Sequence, residues 1–126
     1  MNRTEDLLKL RPEIKTIKQH LNTTRVEQFQ NDTLRPILKF QHSILLALFH
    51  TEIERRKIDF NTLKTEEMEL KLGQLFQKNL AFKNQCLGTI TGHLTLEEYA
   101  IYRLDTSAYN RRIITMLKQR IMSVFL

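Results

Sequence analysis

Residues 33–53 read TLRPILKFQHSILLALFHTEI, and the spacing of their apolar positions decides the fold class. Leu34, Ile37, Leu38, Leu45, Leu48, Phe49 and Ile53 recur at helical intervals, the signature of one buried helix face rather than the alternation of a strand. Ile44 and Leu46 widen that stripe, which implies contact on more than one side. Pro36 interrupts it: without an amide hydrogen it cannot bond the carbonyl of Asp32, and its ring clashes there. The segment therefore either kinks or restarts with Thr33 as a new cap and Pro36 in the first turn. Thr24-Arg25-Val26-Glu27 fits a capping box, so a helix is expected to begin at Thr24, and the major helix to run to about Ile58.

Working outward, Asp59 to Thr65 reads as a connection, and Glu66 and Glu67 put acids in the first turn of a third helix, where the helix dipole favours them. Met68, Leu72, Leu75, Phe76, Leu80, Cys86, Leu87 and Ile90 form its expected inner face, with Gly92 as a C-terminal cap. Gly92-His93-Leu94 is then a turn. Thr95-Leu96-Glu97-Glu98 is a second capping box, opening a short helix through about Leu104. Asp105-Thr106-Ser107 restarts the chain into a last helix, with Tyr109, Ile113, Met116, Leu117, Ile121 and Val124 on one face. Toward the N-terminus, Pro12 disfavours helix at Arg11, so residues 1–23 read as an arm with a short helical turn at most. Its Leu7, Leu8, Leu10, Ile14, Ile17 and Leu21 are more apolar than a solvated tail needs, and point to packing on this chain or a partner's.

Only 3 Gly and 2 Pro in 126 residues leave too little turn chemistry for a many-stranded fold. The expectation is an all-α protein: an antiparallel helical bundle of about four helices over residues 24–126, one domain, preceded by the arm. The longest apolar run, Ile44 to Phe49, is far short of the ~20 residues a spanning helix needs. The N-terminus carries Glu5 and Asp6 and no apolar signal stretch, so a cytoplasmic protein that does not engage membranes is expected. A single cysteine, Cys86, fits a reducing compartment and reads as core rather than nucleophile.

Net charge is +6 with pI near 9.7, which permits a polyanionic partner. The charge is spread along the chain, and the clusters Arg55-Arg56-Lys57, Arg111-Arg112 and Lys118 with Arg120 are small enough to be solvated helix faces or termini. His20, His42, His50 and His93 show neither a His-Glu-x-x-His nor a Glu-x-x-His spacing, so no metal site is expected; His50 and Glu54 form an i,i+4 pair on a helix surface. No glycine-rich nucleotide loop and no Gly-x-Ser-x-Gly elbow occurs. Glu97 and Glu98 point about 100° apart and serve the helix start rather than a shared site. No cofactor and no catalytic residue is assigned. The ten aromatic residues read as core, with Tyr99 and Tyr102 at i and i+3 as interface residues.

Four runs carry a resemblance: residues 7–14, residues 29–41, Leu94-Thr95-Leu96-Glu97-Glu98-Tyr99 and Asn110-Arg111-Arg112-Ile113-Ile114. They resemble a group of short, uncharacterised bacterial proteins sometimes labelled glyoxalase. The resemblance implies an all-helical fold over most of the chain and no established activity. Glyoxalases are paired βαβββ modules with His and Glu ligands on strands, so the label brings no catalytic residue to this sequence.

Two functional readings follow. The first is a non-enzymatic interaction protein, a homodimer whose self-contact uses Leu7, Leu8, Leu10, Ile14, Tyr99 and Tyr102, with Ile44, Leu46 and Phe60 outside the narrow stripe. The second is a nucleic-acid-binding regulator in which the last helix, carrying Asn110, Arg111, Arg112, Lys118 and Arg120, acts as the recognition helix of a helix-turn-helix-like unit.

Overall fold

The computed structural model describes residues 2–14 and 24–125. It is all-α, with no strand among the described residues. The elements are α1 (Arg3–Leu10), α2 (Arg25–Phe29), a π turn (Gln30–Leu34), α3 (Arg35–Phe40), α4 (His42–Arg55), a 3-10 turn (Phe60–Thr62), α5 (Thr65–Lys78), α6 (Leu80–Thr91), α7 (Leu96–Tyr102), a second 3-10 turn (Arg103–Asp105) and α8 (Thr106–Phe125).

Pro36 acts through the π turn. Thr24 caps α2, its Oγ1 accepting from the Glu27 amide at 3.1 Å. The backbone then widens over Gln30–Leu34 so that Pro36 falls in the first turn of α3, where no amide is missed. Thr33 is not a cap, since the chain enters α3 through Leu34 in helical geometry. Gln41 marks a second, milder break before α4, at φ −90° and ψ 8°.

α4 stops at Arg55 rather than near Ile58. Lys57 takes a left-handed φ of 57°, the Ile58 amide donates to the Ile53 carbonyl at 2.9 Å and the Lys57 amide to Glu54 at 3.1 Å. That pair of bonds is a Schellman closure, usually made with glycine at the left-handed position. The expected single third helix is two helices. Asn79, at φ −104° and ψ 88°, breaks the chain and its Oδ1 caps α6 by accepting from the Phe82 amide at 3.1 Å. The expected arm is more ordered than one turn, because α1 runs for eight residues and ends only at Arg11, ahead of Pro12. Ile17, Leu21 and His20 lie outside the described residues.

The core joins all the long helices. Leu34, Ile37, Leu38, Leu45 and Phe49 meet Leu72, Cys86, Ile90, Ile113, Leu117 and Ile121, each essentially without solvent exposure. α8 is the central helix, packing on α5, α6 and the π turn, while α4 and α5 both pack on α6. Of the expected core residues, Phe40, Leu80 and Val124 are exposed, and Leu48 packs against the core only partly covered. Phe60, expected outside the stripe, is fully buried, edge-on to Phe49 at 5.0 Å between centroids. Leu46 packs partly against the core, and Ile44 stays exposed. No helix among the described residues is long and apolar enough to cross a membrane.

Candidate functional site

The first turn of α7 is assembled by its own sequence. Thr95 Oγ1 accepts from the Glu98 amide at 3.1 Å, and Glu98 Oε1 accepts from the Thr95 amide at 2.9 Å, a complete capping box. The N-terminal segment fastens onto this corner. Arg3 donates to the Leu94 and Gly92 carbonyls at 2.8 and 3.0 Å, and Arg11 donates to the His93 carbonyl at 2.8 Å and to both oxygens of Glu98. The arm thus docks through arginines, and its leucines stay outward: Leu8 and Leu10 are exposed, and Leu7 and Ile14 half-buried.

Burial pushes the Glu98 carboxyl up, but the hydrogen bonds and charge of Arg11, with the bonds from Thr95, outweigh it and hold the group below its usual range. His93 is buried under the ring of Phe40 at 4.9 Å. Burial first, then the Arg11 charge, keeps its imidazole neutral below the ordinary histidine range. The corner is a structural clasp around neutral His93.

Beyond this corner the outer side of α7 and of the turn after it exposes four large apolar side chains, interspersed with the exposed Glu97 and Arg103. Leu96 is 75% exposed, Tyr99 49%, Ile101 45%, and Leu104 in the following turn 80%. Ile101 and Leu104 border a groove of about 630 Å³ that α2 closes with Val26 and Phe29, with Tyr109 between them. Arg25 stands on one wall and Asp105 on the other. Tyr102 is not part of this surface. It is buried, its hydroxyl donates to Asn110 Oδ1, and burial raises its pKa. The expected interface pair is therefore split, with Tyr99 outward and Tyr102 carried inward by the turn of α7.

The polar residues of α8 do not share one face. Asn110, Arg111 and Lys118 line a groove of about 710 Å³ between α5 and α8, together with Lys83 and the carboxylate of Glu69. Arg112 points to the opposite flank and donates to Gln30 Oε1 at 3.0 Å. Arg120 lies further along that flank, 3.3 Å from His42 Nδ1. The exposed ridge of α8, Ser107, Arg111, Thr115, Gln119 and Ser123, contains one cation. A recognition helix needs its basic and base-reading side chains on the face that enters the groove. Here most of them flank the helix.

Chemistry elsewhere is subdued. Burial, with the Glu52 charge, pushes the Cys86 thiol up to about 12, which suppresses its thiolate. Glu52 itself is buried at the α4 to α6 junction, bonded by Arg56 Nε at 2.9 Å and by the side-chain Nδ2 of Asn79. His50 and Glu54 are both exposed. No three His, Cys, Asp or Glu side chains converge on a metal position among the described residues. Comparison with known proteins finds no matching protein-family model, no matching curated sequence and no matching solved structure. The functional reading rests on the geometry itself.

Proposed function

We propose that this chain is a non-enzymatic interaction protein, an antiparallel helical bundle that pairs with a second copy of itself through the outer side of α7. The observation that carries this is the exposure of Leu96, Tyr99, Ile101 and Leu104 within nine residues, beside the groove closed by α2. Burying such side chains is worth about 1.5–3 kcal/mol each, and two-fold pairing doubles every contact. The groove lining carries one cation, Arg25, and two carboxylates, Asp32 and Asp105, so a second copy could set its Arg25 against an acid of this one. Leu8 and Leu10 of α1 are exposed as well.

Light scattering on size-exclusion eluate tests it. Wild type should elute with a mass of twice 15.1 kDa at low and high salt, and Ile101→Glu with Leu104→Glu should return it to one chain. A wild-type monomer at every concentration would remove the homodimer.

A second reading, nucleic-acid binding by the basic C-terminal helix, is favoured by one observation: Arg111, Lys118 and Lys83 face a common groove opposed only by Glu69. Arg111→Ala with Lys118→Ala tests this better than the adjacent pair Arg111 and Arg112, which point to different flanks. Loss of salt-sensitive retention of an oligonucleotide in that variant would support it. Retention unchanged by the variant would take the groove out of consideration.

A further inference from the structure

On the flank of α8 away from that groove, Arg35 of α3, His42 of α4 and Arg120 of α8 surround a cavity of about 340 Å³. Leu38, Met116, Gln119 and Ser123 complete its lining, and none of the lining residues is a carboxylate. Neither arginine forms an ion pair among the described residues. Arg35 spends its Nε on Asn31 Oδ1 at 3.0 Å, and Arg120 places Nη1 3.3 Å from His42 Nδ1. Arg120 Nη1 donates to His42 Nδ1 in the tautomer that carries its hydrogen on Nε2, which leaves the ring one N–H to donate. The other guanidinium N–H groups have no protein partner among the described residues.

Two half-buried guanidinium groups beside each other, with no carboxylate lining their cavity and no ion pair to either among the described residues, are mutually unfavourable, and an anion between them relieves both charges. We propose that Arg35, His42 and Arg120 form a binding site for a phosphate monoester dianion. Two positive charges and three donor groups arriving from three helices match a doubly charged group with three terminal oxygens; a carboxylate would be satisfied by one guanidinium fork. The cavity is at the small end of ligand sites, which run from roughly 300 to 1,000 Å³, so the phosphoryl group is what it recognises. A nucleic-acid backbone offers singly charged diesters in series and needs a row of cations. This site is a single cluster floored by Leu38 and Met116.

Titration of the full-length chain with inorganic phosphate, in buffer matched for ionic strength with chloride, tests the site by its thermal midpoint and by calorimetry. The expected result is a saturable rise in Tm, with affinity weakened about tenfold or more in Arg120→Met and in Arg35→Met. Arg111→Met, in the other groove, should bind as wild type. Should Arg120→Met fail to fold, the half-buried Arg35 supplies the informative variant. A short oligodeoxynucleotide with and without a 5′-phosphate separates the sources: the phosphorylated form alone should compete with inorganic phosphate. A non-saturating response, an unchanged response in both arginine variants, or equal competition by the two oligonucleotides would each overturn the proposal.

Discussion

The Arg11 guanidinium grips both oxygens of Glu98, Nη1 to Oε2 and Nη2 to Oε1 at 2.6 Å each, and so ties the N-terminal segment to the first turn of α7. The two side chains are 7% and 16% exposed, so solvent screens the pair little. Glu98 Oε1 also accepts from the Thr95 amide, and one carboxylate therefore serves both a helix cap and an inter-segment ion pair.

Breaking that pair from the arginine side leaves a carboxylate largely out of water. Arg11→Met should cost about 3 kcal/mol, the lower part of the range for removing one member of a buried pair. Arg11→Lys, which keeps the charge and loses the fork, should fall between it and wild type. Urea denaturation read by circular dichroism measures both. A loss below ~1 kcal/mol for Arg11→Met would show that the Arg11–Glu98 pair behaves as an exposed ion pair rather than a buried one.

Acid should loosen the same corner. His93 and Glu98 both have folded pKa values below their unfolded ones, so the unfolded chain binds more protons and stability falls as pH falls. For His93 the loss begins as pH drops through the ordinary histidine value of 6.5, and is complete below its lowered folded value. Glu98 adds its own loss from 4.5 downward. Thermal midpoints from pH 8 to 4 should therefore decline first near pH 6.5, and His93→Gln should flatten that first step. A wild-type midpoint that is constant from pH 7 to 5 would refute the linkage.

Lys57 holds the left-handed position of the Schellman closure after α4, where a side chain costs roughly 1–2 kcal/mol and glycine does not. Glycine also makes the unfolded chain more flexible, which returns part of that gain. Lys57→Gly should stabilise the protein by about 0.5–1 kcal/mol in urea. A destabilised variant would mean that the ammonium of Lys57 makes up for its backbone conformation.

Local pattern carried most of the architecture. The cap at Thr24, made by its hydroxyl without the return bond from Glu27, the capping box at Thr95, the apolar stripes of α4 and α8 and the disturbance at Pro36 all depend on residues within a few positions of each other. What was hidden depended on chain segments meeting. Asn79 ends one helix and caps the next; asparagine after Lys78 was the available signal, but the apolar stripe continued through it to Leu80. Its Nδ2 also reaches Glu52, 27 residues away. Among the site residues, Tyr102 lies on the inner side of α7, where Asn110, eight positions on, takes its hydroxyl. The Arg35, His42 and Arg120 cluster has no linear signature, since its members come from three helices and are brought together only by packing.

Cys86 gives a readout of that packing. Its thiol is buried without solvent exposure and raised to about 12, by burial and then by Glu52. At pH 8 the native thiolate fraction is therefore about one in 10,000, and reagent must also enter the core. Labelling with a thiol-specific disulfide reagent should be undetectable over the minutes in which a free thiol reacts, and should accelerate in urea in step with global unfolding. If modification instead proceeds in native buffer at a rate independent of urea, α6 opens locally. Asn79→Ala, which removes both the α6 cap and a partner of Glu52, should then accelerate it further.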